Sequence, residues 1–123
     1  MKPDLSHNYE RIVIITQGPT ETIFASSTGL YNTFPTLQIN QNLVIDTTGA
    51  GDAFCGGFIS HLLKNPRNPD TPISMDKISD AITTGHWAAR EIIQRYGCSY
   101  PDVCKFDLWQ KNLALDTFDR ANA

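Results

Sequence analysis

The stretch "VIDTTGAGDAFCGGFISHLL", residues 44–63, changes character twice. It opens as a short β-branched apolar run and passes through Gly49-Ala50-Gly51. It then continues with Phe54, Phe58 and Leu62 on one helical stripe, which Cys55 and Ile59 widen. The reading is strand, glycine turn, helix, with the helix beginning within about two residues of Asp52. The first N–H groups of a helix lack intrahelical acceptors and sit at the positive end of its dipole. Gly49, Ala50 and Gly51 can therefore present N–H groups to an anion, and their small side chains let it come close. A carboxylate in the same turn, Asp52, stands about where a hydroxyl has to be oriented against a phosphoryl group. The same spacing also fits a tight connection whose aspartate only stabilises its helix, by about 0.3–1 kcal/mol. It is not a P-loop, because no lysine follows the glycines, and not a dinucleotide fingerprint, whose third glycine would fall at Phe54.

Working outward, "RIVIIT" (residues 11–16) is a continuous β-branched run that predicts a strand buried on both faces of a sheet. "TIFAS" and "LYNTF" flank "STG" and predict a hairpin or two edge strands, with Gly29 in the turn. "LVID" (43–46) reads as a further strand of the same sheet. The helix after the glycine turn should stop near Lys64, since "KNPRNPDTP" carries three prolines. Ser74 fits an N-cap with Asp76 in the first turn. Ile78, Ile82, Gly85, Ala89, Ile92 and Tyr96 then mark one long helix, with Gly97 at its C-terminal cap. The segment "FDLWQKNLALDTFDRANA" reads as a short final helix. No repeat and no internal domain boundary interrupts the 123 residues.

A net charge of −3 without a Lys/Arg cluster argues against a nucleic-acid surface. No run approaches the roughly 20 apolar residues of a membrane span, and "MKPDLSHNYE" lacks a signal-peptide core, so a cytoplasmic protein is expected. Cys55, Cys98 and Cys104 form no C-x-x-C pair and read as reduced, partly buried thiols. His7, His61 and His86 are too scattered for a local metal motif, so no transition metal is expected.

"DTTGAGDAFCGGF" resembles the second signature of the ribokinase-like carbohydrate kinases. The flanks "RIVIITQG", "GGFISHLL" and "TTGHWAAREIIQRYGCSYPD" resemble the adenosine-kinase branch most closely. The likeness runs from about residue 11 to 107 and leaves 108–123 as an extra tail. It implies an α/β fold in which this chain is the C-terminal part of a doubly wound sheet with flanking helices, and a monomer at full length. It implies transfer of the ATP γ-phosphate to the 5′-hydroxyl of adenosine, giving AMP, with ATP and Mg²⁺ required and most metal ligands outside this chain. By the same resemblance Asp52 is the catalytic base and Gly49, Ala50 and Gly51 form the anion hole. Gln17, Gly18 and His86 lie near the nucleotide, with a simple turn glycine and a packed histidine as the plainer alternatives. Asp46 and Thr48 match a possible monovalent-cation site or a plain strand-end turn. Trp87 reads as packing.

The sequence also departs from the pattern. Thr48 stands where adenosine kinases often have asparagine, and Pro19 where several relatives have a more polar or basic residue. The N-terminal signature, the lid and the Asn-x-x-Glu element are missing from these residues. Another ribokinase-like sugar or nucleoside kinase, or a non-catalytic nucleotide-binding module, are the alternatives. The segment alone is expected to be inactive, because acceptor positioning supplies much of phosphoryl-transfer catalysis.

Overall fold

A computed structural model describes residues 10–66, 71–97 and 99. Three strands follow one another directly: β1 (Ile12–Ile15), β2 (Thr22–Ser26) and β3 (Tyr31–Phe34). They form an antiparallel sheet in the order β1-β2-β3, with Ile14 opposite Phe24 and Thr22 opposite Phe34. The β2–β3 hairpin turns through Gly29 at φ 95°, a left-handed conformation that favours glycine, and Ser26 N–H donates to Leu30 O at 2.9 Å. Two helices pack on this sheet, α1 (Ala50–Lys64) and α2 (Met75–Ile93), giving an α/β arrangement.

Strand β1 departs from the expectation of burial on both faces. Ile12 and Ile14 pack toward Phe24, but Val13 and Ile15 are 56 % and 50 % exposed, because the helices cover one side of the sheet only. The expected strand at 43–46 is also corrected. Residues Gln41–Leu43 form a 3-10 turn, and an extended segment follows it. Its Ile45 and Asp46 N–H groups donate to Ile93 O at 2.8 and 3.1 Å. With those donors taken by the end of α2, the segment joins no ladder among the described residues.

Helix α1 ends at Lys64, as the prolines beyond it require. Helix α2 starts where expected: Ser74 Oγ accepts from Lys77 N–H at 3.3 Å, and Asp76 lies in the first turn. Its end is corrected. The helix stops at Ile93, Gly97 caps nothing, and Tyr96 is exposed. Gly97 does take a left-handed φ of 64°, in a turn beyond the helix. The proposed final helix, the 108–123 tail, His7, Cys98 and Cys104 lie outside the described residues. Cys55 is exposed, contrary to the partly buried thiol expected of it.

The core sits between the sheet and the two helices. Phe24 and Ile78 are fully buried, with Phe54, Phe58 and Ile82 around them. Trp87, Ala53, Ala88 and Ile92 form a second cluster further along the helix pair. The helices meet backbone to backbone. A Cβ on Gly57 would lie 2.8 Å from Thr84 O and 3.1 Å from Gly85 Cα, and one on Gly85 would lie 2.7 Å from the Phe54 ring.

Two histidine–threonine pairs tie elements together, one between the two helices and one between α2 and the sheet. His61 Nδ1 lies 3.2 Å from Thr84 Oγ1, and Thr84 Oγ1 donates to Asp80 O at 2.9 Å, so His61 is the donor in its pair. His86 Nε2 and Thr22 Oγ1, both buried, share a hydrogen bond of 2.7 Å that joins α2 to β2. The His86 ring also lies 5.4 Å from the Phe54 ring. Burial holds the His86 pKa below its ordinary 6.5.

Gly57→Ala should destabilise the fold by about 1–3 kcal/mol, because the atoms it meets are mostly backbone. Gly56→Ala, whose Cβ points into open space, should stabilise it by about 0.5–1 kcal/mol. Urea midpoints of the two variants check this. The depressed His86 pKa means that the unfolded chain binds more protons than the folded one. Stability from this group is therefore present above pH 6.5 and lost as pH falls from there through the lower folded value. His86→Gln should flatten that part of the stability profile, and an unchanged slope would remove His86 as its source.

Candidate anion-binding site at the start of α1

The turn before α1 is built by Gly49. It takes φ 81°, where a side chain would be strained, and so reverses the chain directly into the helix. Ala50 N–H donates to Thr47 O at 3.2 Å and Ala53 N–H to Gly49 O at 2.9 Å. The amide of Ala50 is thus satisfied within the turn. Those of Gly51 and Asp52 have no backbone acceptor among the described residues, and they stand at the positive end of the helix dipole. Gly51 is exposed, has no positive φ, and a Cβ there would meet nothing within 4 Å. Neither packing nor backbone strain requires glycine at this position, whereas an approaching anion would benefit from it.

Asp52 is exposed in the first turn and lies in an open groove of about 460 Å³ between the two helices. Gly49, Ala53, Gly56, Gly57 and Ser60 from the α1 side and Ala88 and Ile92 from α2 complete its lining. Asp52, Gly56 and Ser60 follow each other at four-residue steps, so the groove runs along α1 away from the carboxylate. Sequence reading placed Asp52 but missed this extension. The small residues at 56 and 60 were the available signal.

Asp46 and Thr48 do come together. Asp46 Oδ1 accepts from Thr48 N–H at 2.9 Å, and Oδ2 accepts from Gly97 N–H at 3.1 Å. The Thr48 hydroxyl, then the Thr48 and Gly97 amides, hold the Asp46 carboxyl below its ordinary 3.8. The carboxylate thus serves as a clamp that fixes the glycine turn against the chain leaving α2. Among the described residues no group of three or more His, Cys, Asp or Glu is arranged to hold a metal ion.

The structure separates the three weaker nucleotide candidates. Gln17 lines a second open cleft of about 370 Å³ with Pro19, Thr20, Glu21, Thr36 and Gln38, and its carbonyl accepts from Thr20 N–H and Thr20 Oγ1. Gly18, exposed at φ 60°, shapes that loop. His86 lines neither cleft and is spent on Thr22 and Phe54.

Residues 1–103 match the pfkB family carbohydrate kinases. The chain is 33 % identical over 105 residues to adenosine kinase 2 of Arabidopsis thaliana, covering 85 % of this chain and 27 % of that one. It superposes with a TM-score of 0.65 at 30 % identity on the adenosine kinase of Schistosoma mansoni in complex with 2-fluoroadenosine, covering 78 % of this chain and 25 % of that one. The adenosine kinase of Anopheles gambiae, in complex with a di(adenosine) tetraphosphate, gives a TM-score of 0.57 at 40 % identity over 76 % and 26 % of the two chains. These neighbours carry the ribokinase-like fold, and the chain spans about a quarter of their length. With its glycine turn, helix start and two-helix layer all inside the matched residues, this chain belongs to the pfkB family of carbohydrate kinases.

Proposed function

We propose that these residues form the phosphoryl-transfer centre of an adenosine kinase, which moves the γ-phosphate of ATP to the 5′-hydroxyl of adenosine and yields AMP. The observation that carries the reading is the turn at Gly49. It leaves the Gly51 and Asp52 amides without backbone acceptors among the described residues and sets the Asp52 carboxylate beside an open groove. The likeness to adenosine kinases over most of this chain supports adenosine as the acceptor and ATP as the donor.

In this reading the amides at the start of α1 face the transferring phosphoryl group and take up the charge that builds on its oxygens. Asp52 accepts the proton of the 5′-hydroxyl as its oxygen attacks phosphorus, and ADP leaves on the opposite side. Asp46 fixes the turn through Thr48 and Gly97 and is a positioning residue. Gln17 and Gly18 form the loop nearest the nucleotide, and His86 holds Thr22 at the start of β2, where that loop ends. Adenosine and ATP are small-molecule partners acting in the cytoplasm. No helix among the described residues is long and apolar enough to cross a membrane.

In the complete kinase containing this segment, Asp52→Asn should lower kcat by roughly 10²–10⁴-fold. The ATP dissociation constant should stay level or fall slightly, since a carboxylate near the γ-phosphate repels it in the ground state. Near-normal kcat with a lowered Tm would instead make Asp52 a helix-stabilising residue only. The 123-residue chain by itself should phosphorylate adenosine poorly, and robust turnover by a mass-verified preparation would refute that expectation.

A further inference from the structure

The loop between β1 and β2, residues 16–21, is exposed at every position, so packing does little to hold it. Even so, its Gln17, Pro19, Thr20 and Glu21 form one wall of the cleft that Pro35, Thr36 and Gln38 close from the other side. Thr20 ties the loop to itself through Gln17 O, and Thr36 Oγ1 reaches across the cleft to donate to Pro19 O at 2.8 Å. The side-chain bonds among these are exposed, where water competes for the same partners. A buried attachment comes only where the loop enters β2. There Thr22 is 1 % exposed, and its hydroxyl shares the 2.7 Å bond with His86 Nε2. Glu21, the neighbour of Thr22, lines the cleft, so the atom that fixes Thr22 acts one residue from the cleft wall. For packing alone, an apolar pair of the same shape would serve about as well. What the hydrogen bond adds is direction, one orientation of the Thr22 side chain and one of the His86 ring. The same ring lies 5.4 Å from that of Phe54, two residues after Asp52. His86 therefore meets both the strand that leaves the cleft and the helix that bears the carboxylate.

We propose that His86 is a positioning residue for the adenine nucleotide: its bond to Thr22 holds the wall of the Gln17 cleft in place against the helix of Asp52, and so sets how tightly the nucleotide binds. His86 acts without touching the ligand, since it lines neither cleft. Without the bond, Thr22 and the exposed loop before it sample more arrangements. Apparent affinity then falls by the fraction of the population whose loop is competent to bind. The loss falls on the nucleotide, whose cleft the loop walls, and spares adenosine at the Asp52 turn. A purely structural pair would lower stability and leave the affinity of the folded protein alone. This role rests on Gln17 and Gly18 forming the nucleotide loop, and it is independent of the proton transfer assigned to Asp52.

The test uses the complete kinase containing this segment, with dissociation constants for adenosine and for the non-hydrolysable analogue β,γ-imido-ATP measured by titration calorimetry. Thr22→Val removes the hydroxyl and keeps the shape; it should weaken binding of the analogue by about tenfold and change that of adenosine by less than about twofold. Thr22→Ser, which keeps the hydroxyl, should restore most of the affinity. His86→Phe keeps a ring beside Phe54 and loses the bond, so it should match Thr22→Val, and either variant reads the same bond should the other not fold. The double variant should bind no more weakly than each single one, because both remove one interaction. In turnover, KM for ATP should rise more than kcat falls. Gln38→Trp fills the cleft from its opposite wall and should weaken the analogue by itself; if it does not, the nucleotide reading of the cleft fails and the role of His86 with it. If Gln38→Trp weakens the analogue while Thr22→Val and His86→Phe lower Tm only, His86 is a structural residue and the proposal alone is overturned. Losses that add in full in the double variant, or that fall equally on adenosine, overturn it in the same way.

Discussion

The backbone approach of α1 and α2 at Gly57 and Gly85 governs the rest of the structure. Two helices in contact through side chains of ordinary size keep their axes 8–10 Å apart, whereas glycines at the crossing let the backbones themselves touch. Phe54 is then forced over Gly85, where its ring meets His86 on α2 and stacks with Phe58 one turn along α1. Since Phe54 follows Asp52 by two residues, the contact that seats the helix pair also sets the rotation of the first turn of α1. The direction in which the carboxylate points is a consequence of core packing.

The site divides into parts that are local and parts that are borrowed. The left-handed Gly49, the Ala50–Thr47 bond and the Asp46–Thr48 bond lie within a few residues of one another and need little else. The floor of the groove is borrowed, because Ala88 and Ile92 come from α2. Its small side chains on α1 and apolar ones on α2 leave Asp52 as the one charged group on its lining. That suits a centre where a single carboxylate handles a proton and neighbouring amides handle negative charge.

What the sequence disclosed follows from which forces are short-ranged. The β2–β3 hairpin was legible because Gly29 supplies its own turn chemistry. Both helix starts were legible because Gly49 and Ser74 act on the next three residues. The failures share a cause. Val44 and Ile45 are β-branched and the chain turns extended at Val44, but Leu43 belongs to the 3-10 turn, and an extended segment becomes a strand only beside a partner, whereas here Ile93 O captures the Ile45 and Asp46 amides. Gly97 was read as the C-terminal cap, and it does take a positive φ, yet the helix ends earlier, at the carbonyl that those same amides engage. His86 could not be assigned from its neighbours in sequence, since its partner Thr22 lies 64 residues away. The family signature located Asp52 and the glycine turn, and it carried no information that Gln17 would line a cleft and His86 would not.

The clamp between the glycine turn and the end of α2 has a consequence for timing. Ile93 O, Gly97 N–H and the Asp46 carboxylate sit where a helix has run out of internal bonds, and terminal turns of this kind open and close on roughly the microsecond scale. Each opening releases the segment that leads into Gly49. The anion turn is thereby tied to a helix end more than forty residues further along the chain. Relaxation dispersion at the Gly97 amide would read that clock directly, in step with the amides of Ile45 and Asp46.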